Sequence, residues 1–231
     1  LVLGVPVVLG SINVRKSFYT TDWPVMMLAS FLFFGFIYFD GVLEQYEGII
    51  MVVFLMLFLV YLLRFQKTAV ADEMPEDDVS LSLGKTLLLL AIGGLALWGG
   101  SELLIKGAVG MASSFGVSDR VIGITVVSVG TSIPELAASV IAVIKKEKAI
   151  SVGNIIGSNI FNLLAVLGIT AIITPIEVVD DGLLSSDILW MLGISFVILP
   201  LVFFPKGLRL GWRDGIILLG LYVTFVYMTL S

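Results

Sequence analysis

Seven segments of this chain are apolar over about the length that a helix needs to cross a bilayer, roughly 20 residues. They cover residues 23–39, 47–65, 84–105, 119–144, 150–175, 187–204 and 212–230, and residues 1–12 resemble the end of an eighth. Hydrophobic residues make up 58% of the chain and charged residues 13%, whereas a soluble domain has about half and about a quarter. The sequence therefore predicts an all-α integral membrane protein surrounded by the lipid bilayer.

The residue types that the chain lacks exclude several classes of function. It has no cysteine and no histidine, which excludes disulfides, thiolate metal sites, histidine-ligated zinc and Ser-His catalysis. A net charge of −5 gives no electrostatic support for a nucleic-acid partner. The ligands that are left are carboxylate, hydroxyl, amide and carbonyl oxygens, which hard cations such as Na⁺ and Ca²⁺ prefer.

The basic residues predict the orientation of the chain in the membrane. When the loop after residues 1–12 is placed in the cytoplasm, only Lys106 and Arg120 fall at outer ends. The other basic residues fall at cytoplasmic ends: Arg15, Lys16, Arg64, Lys67, Lys85, Lys145, Lys146, Lys148, Lys206, Arg209 and Arg213. Because cytoplasmic loops carry the excess of Lys and Arg, we expect the acidic linker 67–83 inside and the C-terminus outside.

An internal repeat predicts the architecture. Residues 2–12 (VLGVPVVLGSI) resemble 166–176 (VLGITAIITPI), Asp22 corresponds to Asp187, and EGII at 47–50 corresponds to DGII at 214–217. The charge pattern gives the two copies opposite orientations, which is typical of inverted-repeat transporters. We expect an inverted-repeat bundle with seven full membrane helices and one partial N-terminal helix.

The repeat also divides the chain into three parts. Residues 1–66 form the remainder of a first half, 67–83 a linker, and 84–231 a second half. Residues 84–165 precede the second copy, and the first copy has no counterpart of them in this sequence. We therefore expect an N-terminal half-repeat to be missing.

The first motif lies at 128–135, SVGTSIPE, in the middle of an apolar segment. Pro134 has no N–H, so the carbonyl of Gly130 loses its helical partner, and a bound cation could satisfy it. Ser128, Ser132 and Glu135 are spaced by four and three residues and so share a helix face. A carboxylate at membrane depth costs about 2.5–3.5 kcal/mol and indicates a functional site; a proline kink with a protonated, hydrogen-bonded glutamate is the structural alternative.

The second motif lies at 153–162, GNIIGSNIFN. Asn154, Ser158 and Asn162 are spaced by four and share a face, while Gly153 and Gly157 form a GxxxG pair that lets another helix approach closely. These polar residues could simply bridge helices. Next to the Glu135 segment they favour a cation site, because serine and asparagine add neutral oxygens to a carboxylate.

GTSIPE at 130–135 and GNIIGSNIFN at 153–162, separated by a short basic loop, resemble the second α-repeat of the cation/Ca²⁺ exchanger superfamily, in its prokaryotic sodium/calcium exchanger branch. The resemblance covers essentially the whole chain, from the end of the family's third helix through its tenth. Members have ten helices in two inverted halves, with ion sites at mid-membrane between the repeats. The resemblance implies an antiporter that exchanges Ca²⁺ for Na⁺, in the inner membrane of a prokaryotic cell.

The resemblance also implies a set of ion ligands. Glu135 would be the second of two central acidic ligands. Thr131, Ser132, Ser158 and Asn162 would supply further oxygens and Ser128 a backbone carbonyl. Some family members carry aspartate at the position of Asn162, so we expect no potassium dependence. The family's first motif, with its own glutamate, is not in this sequence; a longer chain or a second copy of this one would supply it.

Other functions stay open at this point. Ca²⁺/H⁺ exchange is the nearest, although proton-coupled relatives usually carry an acidic-His motif that this chain lacks. An inactive half-transporter fragment is another. A serine protease using Ser132 would have only Glu135 as a base, so we expect neither enzymatic activity nor a cofactor. Glu102 could guide cations, but an i,i+4 pair with Lys106 is the simpler expectation.

Overall fold

The computed structural model of the chain describes residues 1–65, 82–117, 119–145, 148–178, 182–205 and 207–230. Most of the predicted linker 67–83 therefore lies outside the described residues. The helices are α1 Gly4–Leu9, α2 Trp23–Asp40, α3 Gln45–Phe65, α4 Leu83–Ser114, α5 Asp119–Ile122, α6 Ser128–Thr131, α7 Ile133–Ile144, α8 Lys148–Phe161, α9 Gly168–Ile173, α10 Ile188–Phe203 and α11 Trp212–Leu230. Wider π-helical turns join or precede several of them, at Phe18–Asp22, Gly123–Val127, Asn162–Leu167 and Leu183–Asp187. The described residues also form four two-residue strands: β1 Ile12–Asn13, β2 Val42–Leu43, β3 Ile176–Glu177 and β4 Arg209–Leu210.

Five described helices are long and apolar enough to cross a membrane: Phe18–Asp40, Gln45–Phe65, Leu83–Ser114, Val152–Ile173 and Leu183–Phe203. A sixth span arises if the bent pair Gly123–Thr131 and Ile133–Ile144 is counted as one. The seventh expected segment, 212–230, is helix α11, which carries Arg213 and Asp214 in its first turn and is not in this set. The all-α membrane architecture is confirmed.

The internal repeat reappears as reciprocal pairing between the two halves. Helix α1 packs against α11, and its repeat counterpart α9 packs against α3, the counterpart of α11. Strand β1 pairs antiparallel with β4, and β2 pairs antiparallel with β3. Each of these contacts thus recurs between the repeat counterparts of the two elements, as an internal two-fold relation requires.

Glycines set the distance between the helices of each reciprocal pair. A Cβ added at Gly48 would lie 2.5 Å from the carbonyl oxygen of Gly168, and one at Gly215 would lie 2.9 Å from that of Gly4. No real Cβ approaches a backbone oxygen so closely, so only glycine allows this contact. The close approach explains why EGII and DGII recur in the two halves.

The carboxylates of these tetrapeptides cap their own helices. Glu47 Oε2 accepts from the backbone N–H of Glu44 at 2.9 Å, and Asp214 Oδ2 accepts from that of Gly211 at 2.7 Å. Both side chains are buried, at 5% exposed, because they satisfy N–H groups that the first helical turn leaves without partners.

Burial separates a central group of helices from a peripheral one. In the most apolar stretch of Val152–Ile173, 44% is buried, whereas in the corresponding stretch of α4 only 6% is buried. Ser101 is the one buried residue of α4. Helix α4 therefore lies at the edge of the described bundle and contacts it near Gly130 and Ile133–Ile144.

Candidate cation site

The helix that carries the first motif is broken at Ser132. The segments Gly123–Thr131 and Ile133–Ile144 meet at 49°, with Pro134 in the first turn of α7. Proline cannot continue the hydrogen-bond ladder of the preceding turn, so a break at this point is expected. The predicted disturbance at Pro134 is confirmed.

The carbonyl of Gly130, which Pro134 leaves without a helical donor, accepts a hydrogen bond from another helix. The hydroxyl of Ser101 donates to it at 2.6 Å, and Ser101 is 8% exposed. The Ser101 hydroxyl therefore already satisfies this carbonyl, and a cation is not needed for that purpose. Ile105, one turn further along α4, lies where a Cβ at Gly130 would be.

The hydroxyls of the first motif donate to backbone carbonyls of their own helix. Ser132 Oγ donates to the carbonyl of Ser128 at 2.8 Å, and Thr131 Oγ1 donates to the carbonyls of Val127 and Ser128 at 3.0 and 3.2 Å. Ser128 Oγ donates to the carbonyl of Ile124. Each hydroxyl oxygen keeps its lone pairs as acceptors, so these residues can face a cation while their protons are occupied.

The second motif helix presents a slightly different face from the one that the spacing predicts. Ser158, Asn159 and Asn162 line a cavity between the two motifs, which we call the main cavity, while Asn154 is exposed and does not line it. Asn162 begins the π-helical turn Asn162–Leu167, and such turns are frequent at functional sites. Asn159 is the residue that the sequence reasoning missed, although it lies inside the quoted motif.

A cavity of about 520 Å³ brings the two motifs together. All six residues expected at the ion site line it: Ser128, Thr131, Ser132, Glu135, Ser158 and Asn162. Residues 1–4, one face of α10 between residues 190 and 198, and part of α11 form the other walls. Asn159 and Asn162 also line a neighbouring cavity of about 350 Å³, so they lie between the two spaces.

Glu135 carries the polar atom of this site that most lacks a partner. Its Oε2 is buried and has no hydrogen-bond partner within the described ranges, and the same holds for Ser139 Oγ one turn further on. An unsatisfied buried carboxylate oxygen costs more than a neutral one, typically above 1–3 kcal/mol. This cost would be removed by a ligand that offers positive charge.

The cavity holds a second carboxylate that the sequence reasoning did not place there. Asp187, 9% exposed, lines it from the turn that precedes α10. Its match to Asp22 in the repeat was the available signal, but that match indicated architecture only. No group of three or more Asp and Glu side chains able to hold a metal ion occurs among the described residues, so neutral oxygens dominate the site.

Glu102 takes part in the ion pair that its spacing predicts. Its Oε1 lies 3.2 Å from Lys106 Nζ, and both side chains are exposed, at 44% and 72%. The i,i+4 expectation is confirmed. Exposed pairs of this kind contribute at most about 1 kcal/mol, so the contact is a minor one for stability.

Removal of the Ser101 hydroxyl should destabilise the protein. In Ser101→Ala the carbonyl of Gly130 stays buried without a donor, which costs about 1–3 kcal/mol. The matched control is Ser114→Ala on the same helix, whose exposed hydroxyl bonds locally to the carbonyl of Met111 and whose loss should cost less than about 0.5 kcal/mol. Thermal unfolding in detergent measures both, and equal melting temperatures would contradict the assigned role of Ser101.

Comparisons with known proteins identify the family to which the chain belongs. The family model described as "Sodium/calcium exchanger protein" matches residues 1–64 and 85–231. CaxA of Alkalimonas amylolytica is 35% identical over all of this chain and 74% of its own length. Inner membrane protein YrbG of Escherichia coli is 30% identical over 99% of this chain and 72% of its own length. The solved structure of the sodium/calcium exchanger from Methanococcus jannaschii superimposes with a TM-score of 0.73 at 26% identity, covering 98% of this chain and 70% of that one. The chain therefore belongs to the sodium/calcium exchanger protein family, whose members are integral membrane antiporters and not enzymes.

Proposed function

We propose that this protein exchanges Ca²⁺ for Na⁺ across a membrane, with both ions binding in the main cavity at Glu135. The observation that carries the proposal is made at Glu135, which lines a cavity with hydroxyl and amide side chains and whose buried Oε2 has no hydrogen-bond partner among the described residues. Hard cations take oxygen ligands of this mixed kind.

Each residue of the first motif has a proposed role. Glu135 supplies the charge that binds the ion, and Thr131 and Ser132 supply hydroxyl oxygens. Ser128 supplies its backbone carbonyl, which accepts the hydroxyl proton of Ser132 at 2.8 Å, while the single hydroxyl proton of Thr131 can go to the nearer carbonyl of Val127 at 3.0 Å. A carbonyl has two lone pairs, so one of them is left for the ion, and Ser128, Thr131 and Ser132 all line the cavity.

The second motif completes the proposed ligand set with neutral oxygens. Ser158 Oγ donates its proton to the carbonyl of Ile155 at 3.0 Å, which leaves its lone pairs for a cation. Asn162 contributes an amide oxygen without charge. Because Asn162 is not an aspartate, the site holds one negative charge fewer than a site with aspartate at this position, and we expect no requirement for potassium.

Calcium usually takes six to eight oxygens and more than one carboxylate. We propose that the carboxylate that pairs with Glu135 at the centre of the site comes from a first α-repeat, in the same chain or in a second copy, in addition to Asp187 in the cavity wall. The division into a first half at 1–66, a linker at 67–83 and a second half at 84–231 is part of this proposal. The reciprocal contacts of α1 with α11 and of α9 with α3 support an arrangement in which the two repeats face each other.

Exchange follows from the charge at the site. An occupied site has its carboxylate charge compensated, whereas an empty site leaves that charge in a low-dielectric region, where its cost is high. The empty protein therefore resists the conformational change, and one ion must replace the other. We expect helix α4, which lies at the edge of the described bundle, to move between the two access states.

The proposed orientation places the linker and most basic residues in the cytoplasm and the C-terminus outside. It is supported by the distribution of Lys and Arg, and the inner-membrane name of one relative supports a prokaryotic inner membrane as the location. Cysteine substitution at position 229 with impermeant thiol labelling would test the outside position of the C-terminus.

The coupling ion is tested by Ca²⁺ uptake into liposomes that contain the purified protein. We expect Ca²⁺ uptake with internal Na⁺ and no pH gradient. The uptake should not change when K⁺ replaces choline in the buffer. Uptake driven by a pH gradient without Na⁺ would instead establish Ca²⁺/H⁺ exchange, in which Glu135 cycles protons. Empty liposomes and liposomes with an added Na⁺ ionophore are the controls, since the ionophore should abolish Na⁺-driven uptake.

A further inference from the structure

Another cavity, of about 420 Å³, shares no lining residue with the main cavity. It lies where the end of α1 meets the start of α11, beside the pairing of β1 with β4. We call it the basic corner; its polar and aromatic lining residues are Ser11, Arg209, Trp212, Arg213 and Asp214. Its volume falls within the range of about 300–1,000 Å³ that is usual for ligand sites.

The two arginines of the basic corner are positioned by neighbours that do not neutralise them. Arg209 Nη2 donates to the hydroxyl of Ser11 at 2.6 Å. The guanidinium of Arg213 lies 5.6 Å from the centre of the Trp212 ring, a cation–π distance. Asp214 is engaged in the helix cap through Gly211 and is 5% exposed. The corner therefore presents two guanidinium groups to the cavity.

The internal repeat supplies a comparison within the same molecule. The counterpart corner, where β2 pairs with β3, has the same strand pairing and the same cap, made by Glu47 instead of Asp214. Its other described charges are acidic, at Asp40, Glu44 and Glu177. The backbone arrangement thus forms without arginines, so Arg209 and Arg213 are not required by the fold of the corner.

We propose that the basic corner binds the phosphate of an anionic phospholipid headgroup. Arginine binds phosphate oxygens through parallel N–H groups, and basic pockets between membrane helices on the cytoplasmic side are suited to such headgroups. Trp212 is 59% exposed, as is typical of tryptophan at the membrane–water interface. The proposal does not depend on which cation the protein exchanges; it uses the proposed orientation only to assign the lipid to the cytoplasmic leaflet.

The surroundings favour a lipid over free phosphate. Val8 lines the cavity and is exposed. Leu9 on α1 and Ile216 and Ile217 on α11 are exposed apolar residues within about three positions of lining residues in the sequence. They provide a surface for the acyl chains of a lipid whose headgroup occupies the corner. A soluble anion would gain nothing from these residues.

The test is native mass spectrometry of the purified full chain in neutral detergent, titrated with phosphatidylglycerol or phosphatidylcholine. We expect one phosphatidylglycerol to bind more tightly than any phosphatidylcholine. Arg209→Gln with Arg213→Gln should weaken it at least about tenfold, since each basic residue near a membrane surface contributes about 1 kcal/mol. Arg64→Gln with Lys145→Gln removes the same charge from exposed positions outside the cavity and should leave the bound lipid in place.

Three outcomes would overturn the proposal. Equal weakening of lipid binding in both double variants would mean a general attraction of the lipid to basic surface. The two arginines would then contribute only to the orientation of the chain in the membrane. No preference for phosphatidylglycerol would exclude a headgroup site. Displacement of the lipid by millimolar inorganic phosphate would identify a free-anion site. If the double variant does not fold, Arg213→Gln alone, in which the hydrogen bond of Arg209 to Ser11 persists, should still weaken binding severalfold.

Discussion

Glu135→Gln is expected to abolish Na⁺-driven Ca²⁺ uptake while the protein still folds. The substitution keeps the shape of the side chain and removes the charge that faces the cavity. Loss of one partner from a buried charge pair costs about 3–5 kcal/mol, which corresponds to a loss of affinity of roughly 100-fold or more. Because Oε2 has no hydrogen-bond partner among the described residues, glutamine leaves no protein donor unsatisfied and the melting temperature should not fall.

The matched control is Glu177→Gln, which makes the same chemical change at an exposed residue of β3 outside the cavity. Its uptake should stay within about twofold of the unmodified protein, as expected for screened surface charges. Retention of normal uptake by Glu135→Gln, with Glu177→Gln also normal, would remove Glu135 from the transport site. Equal loss in both variants would indicate a general effect of surface charge on uptake.

Gly48→Ala should disrupt the packing of α3 against α9. The added Cβ would lie 2.5 Å from the Gly168 carbonyl oxygen and 3.0 Å from the Ala171 Cβ. The nearest of these atoms is in the backbone and cannot rotate away, so the helices must separate. We expect a loss of stability of about 3 kcal/mol, the upper part of the usual range for overpacking, measured by thermal unfolding and by the monodisperse fraction in gel filtration.

Two alanine substitutions on other helices serve as controls. A Cβ at Gly35 in α2 or at Gly193 in α10 meets nothing within 4 Å, so Gly35→Ala and Gly193→Ala should be neutral or stabilising by up to about 1 kcal/mol. Gly215→Ala, the counterpart of Gly48→Ala, should resemble it because its Cβ meets the Gly4 carbonyl oxygen at 2.9 Å. A melting temperature of Gly48→Ala equal to that of the controls would show that the close approach is not required.

The spans and the break at the first motif could be predicted because they depend on local sequence. Uninterrupted apolar segments predicted α2, α3 and α10 to within a few residues. Pro134 predicted the bend because proline removes a hydrogen bond wherever it occurs in a helix. The inverted repeat was visible because EGII and DGII recur, although the close contacts made by their glycines depend on the partner helices.

The details of the site could not be predicted because they depend on neighbouring helices. Ser101 is 29 residues from Gly130 in sequence, and nothing local indicates which hydroxyl reaches a freed carbonyl. Asn159 lines the cavity and Asn154 does not, since the face that matters is set by where α1 and α10 lie. Asp187 lines the cavity because its turn packs against the same space, which no spacing rule indicates.

The most direct test of the cation site is the location of Ca²⁺ by anomalous diffraction, from crystals of the protein grown at low and high Na⁺. We predict a Ca²⁺ peak about 2.3–2.6 Å from a carboxylate oxygen of Glu135, with oxygens of the two motifs around it, and loss of the peak at high Na⁺. A Ca²⁺ peak away from Glu135, or one at Glu135 that persists undiminished at high Na⁺, would contradict competition between the two ions at this carboxylate.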